Sequence, residues 1–212
     1  MGEKKKPIHK TKYFFDWKKA GLILLVAFGF YFILNFGYIA ILTKYKTAQI
    51  TQIITSEAPS EPTGPPELAA NELAIPALNI RTPILFTETV DEDVFQELLR
   101  QGVVHYPDTA EVGAVGNAYI FGHSSDFTWV DNSYRYIFAL LPNIKLGDDI
   151  YATNQAGHLF HFQVKETFVI SPSDLRVLNQ ETDGKIVLTL QTSYPFGTAL
   201  ARFIVVAELV EL

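Results

Sequence analysis

The hydrophobic rhythm of the chain changes twice. GLILLVAFGFYFILNFGYIAIL, residues 21–42, is apolar and uncharged over 22 positions. A helix that crosses a bilayer needs roughly 20 such residues, so this run predicts a transmembrane helix. SEAPSEPTGPPELAA, residues 56–70, has neither a helical nor a strand period. Its Pro, Ser and Glu bury too little apolar surface to fold, which predicts a semi-extended spacer. From residue 71 onward, short apolar runs alternate with turn residues. ELAIPALNI (72–80), TPILF (82–86), NAYIFG (117–122), DIYATN (149–154), HLFHFQVKETFVI (158–170), KIVLTLQT (185–192) and RFIVVAELV (202–210) read as strands. VDEDVFQELLRQG (90–102) reads as a helix, with Val94, Phe95, Leu98 and Leu99 on one face and Gly102 as its stop. SYRYIFALLPNI (133–144) predicts a short helix ended by Pro142.

Many short strands with few helices predict a mainly β domain, closed or nearly closed into a barrel. The chain thus divides into a basic tail (1–20), a transmembrane helix (21–42), an extended linker (43–70) and a folded domain (71–212). A cleaved signal peptide would have an apolar region of only ~7–15 residues and a small-residue cleavage site. The run here is longer and ends in TKYK, so an anchor is expected.

Charge sharpens this picture. Residues 1–46 carry nine lysines against Glu3 and Asp16, a net +7, while the remainder is −13. Seven of those lysines precede the apolar run. By the positive-inside rule the N-terminus is cytoplasmic and the domain lies outside. Tyr13, Phe14 and Phe15 before the run, and Tyr38 and Tyr45 near its end, suit the interfaces as aromatic anchors. An acidic domain excludes nucleic acid as the expected partner, since phosphate binding needs a basic face. Asn35, inside the run, is either a helix–helix contact or a tolerated polar residue.

The chain has no cysteine, which removes disulfides, thiolate metal sites and a cysteine nucleophile. Among its five histidines, His9 is in the tail and His105, in GVVHYP, suits a local hydrogen bond. His158 and His161 are three apart in one strand, on opposite faces, and do not make a metal pair. Asp91, Glu92 and Asp93 lack the ligand spacing of a calcium loop and suit the first turn of a helix. No metal or cofactor is expected.

Two stretches carry chemistry. In KIVLTLQTS, Ile186, Leu188, Leu190 and Thr192 share one face, and Val187, Thr189, Gln191 and Ser193 the other. Eight residues, YPFGTALA, separate Ser193 from Arg202. An antiparallel hairpin would set Ser193 and Arg202 roughly opposite each other, with Cβ atoms ~4.5–5.5 Å apart. A guanidinium beside a nucleophile stabilises charge developing on a carbonyl oxygen. The plainer description is a turn serine and an edge-strand charge. In GNAYIFGHSSDF (116–127), His123 stands directly after a strand and its Gly122. It suits a general acid or base, or simply a loop histidine.

The order of these parts resembles a sortase. The resemblance spans residues 72–212 and rests on GVVHYPDTAEVGAVGNAYIFGHSS (102–125), LLPNIKLGDDIYA (140–152) and LTLQTSYPFGTALARFIVVAEL (188–209). Sortases carry a G-H pair after a strand, matched by His123, and a T-L-x-T-C motif followed by an arginine. That motif falls on Thr189, Leu190, Gln191, Thr192 and Ser193, and the arginine on Arg202. The family implies an eight-stranded β-barrel and a membrane-bound transpeptidase on the outer face of the cell. Its cysteine cleaves the Thr–Gly bond of an L-P-x-T-G-like sorting signal on a secreted protein. An amine of the cell wall or of a pilin then resolves the acyl-enzyme. The resemblance makes His123 the proton donor to the leaving amine and Arg202 the substrate or oxyanion ligand. It places Thr192 among the substrate-binding residues. It implies no universal cofactor, although some members bind calcium. Ser193 departs from the pattern, because a hydroxyl is the weaker nucleophile unless a base activates it. Three readings stay open: a serine nucleophile served by His123, a silent module that binds sorting signals, or a cysteine deliberately replaced. A serine triad also needs a carboxylate behind the histidine; Asp126 is near His123 in sequence.

Overall fold

A computed structural model describes residues 17–54, 65–125 and 132–210. The tail with Tyr13, Phe14 and Phe15, much of the Pro-rich spacer, and Asp126 lie outside the described residues. The chain divides into two units between Ile41 and Leu42, and its long helix and its barrel are described separately.

Helix α1 runs Trp17–Ile54. Its segment Trp17–Lys44 is long and apolar enough to cross a membrane. Large apolar side chains such as Leu22, Leu25, Phe28 and Ile33 are exposed around it. Asn35 donates to the carbonyl of Tyr31 one turn back, at 2.8 Å, so its amide is met within its own helix. The helix continues beyond residue 42, and the first part of the segment expected to be extended is helical. TKYKTAQITQII contains neither Pro nor Gly, so nothing halts propagation before the Pro-rich stretch.

Eight strands close the second unit into a barrel: β1 (Glu72–Ile75), β2 (Ile80–Leu85), β3 (Val103–His105), β4 (Gly116–Phe121), β5 (Asp149–Thr153), β6 (Leu159–Ile170), β7 (Ile186–Tyr194) and β8 (Ala201–Leu209). Their order around the barrel is β1-β2-β3-β4-β7-β8-β6-β5. β2 with β3 and β4 with β7 are parallel pairs. Neighbours elsewhere run antiparallel. The core is built from alternate residues of these strands, including Leu73, Ile75, Ile120, Ile150, Phe162, Leu188, Leu190 and Val205, all fully buried. Closure gives each strand a neighbour on both sides.

The hydrophobic pattern marked seven strand segments; the eight strands that the resemblance implied are present. The eighth is β3, only three residues long. VVH is too short to show a period, and it becomes a strand because β2 and β4 pair on either side of it. Helix α2 spans Glu92–Leu99. Asp91 is its N-cap, accepting from the amides of Asp93 and Val94 at 2.9 and 3.3 Å, which accounts for the acidic run without a metal. Phe95 and Leu99 pack onto Val104, with Tyr106 and Phe121 beside them.

The expected helix over 133–144 is not a regular α-helix. Residues 133–140 form successive turns that lead into a 3-10 helix, Leu141–Asn143. Pro142 lies inside that helix rather than ending it, at a first-turn position where its missing N–H costs nothing. Bonds such as Leu141 N to Phe138 O at 3.1 Å repeat every three residues. That repeat buries Phe138 and Leu141 together.

Candidate active site

β7 lies between β4 and β8, and each neighbour brings one chemical group to its C-terminal end. Leu188, Leu190 and Thr192 point into the barrel and are buried, which leaves Gln191 and Ser193 on the outer face. On one side, β8 pairs antiparallel with β7 in a register that sets Ser193 directly opposite Arg202. The two side chains therefore share a face. On the other side, β4 runs parallel, with Phe121 level with Gln191. β4 ends at Phe121, and His123 follows two residues later in the chain.

Two hydrogen bonds extend that parallel pairing beyond the strand. The Gly122 amide donates to Gln191 O at 3.1 Å, and Thr192 Oγ1 donates to Gly122 O at 2.9 Å. The second bond is buried. Gly122 is required by packing: a Cβ there would come within 2.7 Å of the Phe138 ring and 2.9 Å of Val103. The G-H pair thus allows β4 to press against the 133–140 turns while His123 turns outward.

His123, Ser193 and Arg202 line one cleft of about 390 Å³. Phe95, Gln96 and Leu99 of α2 contribute to it, as do Tyr119, Phe121 and Gln191 from the sheet. Pro172, Asp174 and Leu175 come from the segment joining β6 to β7. That segment is braced by Asp174, which caps the 3-10 helix Leu175–Leu178 and pairs with Arg176 at 2.6 Å. The Arg176 hydrogen bonds hold the Asp174 carboxyl down at about 2. A carboxyl lowered in this way keeps its bracing interactions above its ordinary range and loses them only as pH falls through about 2. Arg202 Nη1 donates to the carbonyls of Ala199 and Ala201 at 3.2 and 3.1 Å. Those bonds tether the guanidinium to its own turn and use part of its five-donor fork.

Thr192 does not join the cleft. Its side chain is 1% exposed and faces the core, and it is not among the residues that line the cleft, which favours a positioning role over the expected substrate contact. Its hydroxyl ties the His123 strand to the Ser193 strand. Thr192→Val should lower stability by about 1 kcal/mol, measured by denaturant unfolding of the full chain in detergent. Any acyl transfer should slow while peptide affinity stays unchanged. A weakened affinity would instead restore Thr192 as a substrate contact.

His105 and His161 have structural partners. His105 is buried, with Nε2 2.8 Å from Ala110 O and its ring stacked on Phe86. Burial pushes its pKa down. His161 Nε2 meets Asp149 at 2.8 Å and stacks on Tyr151. The pairing of Tyr119 with Gln191 in the cleft was not foreseen from the sequence. The placement of Gln191 on the same strand face as Ser193 was its only advance signal.

The Sortase domain family pattern matches residues 73–210. No curated protein sequence matches the chain. Among solved structures, the chain is similar to a Clostridium perfringens Sortase D5 transpeptidase, with 29% identity and a TM-score of 0.53, over 66% of this chain and 78% of that one. It is also similar to a lid mutant of sortase A from Corynebacterium diphtheriae, with 26% identity and a TM-score of 0.56, over 73% and 75% of the two chains. Sortase C-1 from Actinomyces oris shares the fold at 23% identity and a TM-score of 0.55, over 66% and 73%. With the family pattern covering almost all of the barrel, and the barrel itself shared with these structures, the chain belongs to the sortase family.

Proposed function

We propose that the protein is a membrane-anchored sortase-type transpeptidase with a serine nucleophile. It acts on secreted proteins bearing L-P-x-T-G-like sorting signals. The observation that carries this reading is one cleft lined by His123, Ser193 and Arg202, with Ser193 opposite Arg202 in the β7–β8 register. α1 is the anchor. The lysines before it keep the N-terminus cytoplasmic and place the barrel outside the cell.

In the proposed reaction His123 takes the proton from Ser193 Oγ as that oxygen attacks the scissile carbonyl carbon. The resulting oxyanion is stabilised by the Arg202 guanidinium. The C–N bond breaks, His123 returns the proton to the departing amine, and an oxyester to Ser193 remains. An acceptor amine, from the cell wall or a pilin lysine, then attacks the oxyester and gives its proton to His123. Ser193 leaves and recovers that proton. The net change is exchange of one amide for another.

The test is incubation of the full chain in detergent with a sorting-signal peptide, with and without an amine. Mass spectrometry should find an acyl adduct on Ser193 and an amine-dependent product. Absence of both would remove the serine mechanism. The hydroxyl in place of a thiol favours one second reading, a module that grips sorting signals without cutting them. Peptide affinity that falls on Arg202→Ala, with no cleavage by either form, would establish that reading instead.

A further inference from the structure

The cleft holds a polar pair that acyl transfer does not use. Tyr119, on β4, is 3% exposed, and its hydroxyl donates to Gln191 Oε1 at 2.5 Å. Burial pushes the phenol pKa up, against the opposing charge of Arg202, so the hydroxyl stays a donor at neutral pH. The ring is held by its neighbours. Tyr106 meets Tyr119 edge-on at 6.1 Å and Phe121 at 6.2 Å, and Phe95 meets Phe121 at 5.0 Å. α2 presses on this cluster from outside. An amide whose oxygen is held by such a donor has its NH2 group left to offer.

Gln191 lines the cleft together with Ser193 and lies two residues before it on the same strand face. Two residues of strand span ~6.6 Å, which is about two residues of an extended peptide laid along β7. We infer that Gln191 determines specificity: its NH2, oriented by the Tyr119 hydroxyl, donates to a side-chain oxygen of the bound peptide about two residues from the scissile bond. The ligand class is a peptide bearing an amide or carboxylate side chain at that position. Tyr119 is the positioning residue, and Gln191 touches the peptide. This inference rests on the peptide-binding reading of the same cleft.

The test uses the full chain in detergent and fluorescent L-P-x-T-G-like peptides. Each position around the Thr–Gly bond carries Asn, Asp, Leu or Lys in turn, and affinity is read by anisotropy. At one position Asn or Asp should bind about tenfold tighter than Leu, the worth of one hydrogen bond. Gln191→Leu should erase that preference. Tyr119→Phe should shrink it to about twofold, because the amide is then free to turn. Gln191→Glu, which keeps the shape and replaces the donor by an acceptor, should move the preference to Lys. Persistence of the Asn or Asp preference in Gln191→Leu overturns the inference, as does its absence from the native chain while peptides still bind. Binding of no peptide by any form overturns the peptide-binding reading and this inference with it.

Discussion

Ser193→Cys is expected to raise acyl transfer to an amine by on the order of 10²-fold. The T-L-x-T-C motif that the resemblance lays over residues 189–193 ends in a thiol, and the chain contains no cysteine. A thiol ionises far more readily than a hydroxyl and is the stronger nucleophile near neutral pH. With serine, the proton must leave Oγ during attack, and the whole cost falls on the histidine. The register that sets residue 193 opposite Arg202 is a backbone property, so exchange of Oγ for Sγ leaves the geometry in place. The measurement is single-turnover cleavage of a sorting-signal peptide by both forms, with peptide affinity measured separately. Equal affinity and faster cleavage by the cysteine form are the expected pair. A cysteine form that binds peptide but cleaves no faster would mean that the cleft grips rather than cuts.

His123→Ala is expected to reduce acyl transfer by about 10²–10⁴-fold, the usual range for loss of a general acid–base. The loss should appear in the native chain and in Ser193→Cys alike, because the leaving amine needs a proton in both. Affinity for peptide should change little, since in the proposed reaction the histidine acts on the reacting atoms. His123 reaches its place through Gly122 and the Thr192 bond, so the substitution leaves the strand anchoring intact. Unfolding measured beside the kinetics separates chemistry from folding. An activity that survives His123→Ala would remove the histidine from the reaction and leave Arg202 and Ser193 to be explained without it.

Much of this was legible in the chain. The uncharged apolar run at 21–42 specified a spanning-length helix, because composition over that length leaves few alternatives. The alternation in KIVLTLQTS separated a core face from a cleft face, and the eight-residue gap to Arg202 set the hairpin. Other features were hidden for physical reasons. β3 is too short to carry a period and exists only through its two partners. Pro142 looked like a stop, yet in a 3-10 turn with a buried repeat of three it is well placed. Nothing local shows that the hydroxyl of Thr192 would be spent on Gly122 O instead of on a substrate. The Tyr119–Gln191 pair joins residues 72 apart in sequence, beyond the reach of any local pattern.

By itself the sequence determined the apolar helix, the acidic β-rich domain behind it, and the three motifs that mark the family. These depend on composition and short periods, which a chain carries whatever its partners are. Only the tertiary structure decided which of those motifs meet. A parallel pairing between β4 and β7, far apart in the chain, brings the two strand ends together, and His123 and Ser193 line one cleft beyond them. It also turns Thr192 inward and sets Gln191 beside Tyr119. Strand pairing over such distances is fixed by closure of the barrel as a whole, because each strand's hydrogen bonds are satisfied only when both neighbours are in place.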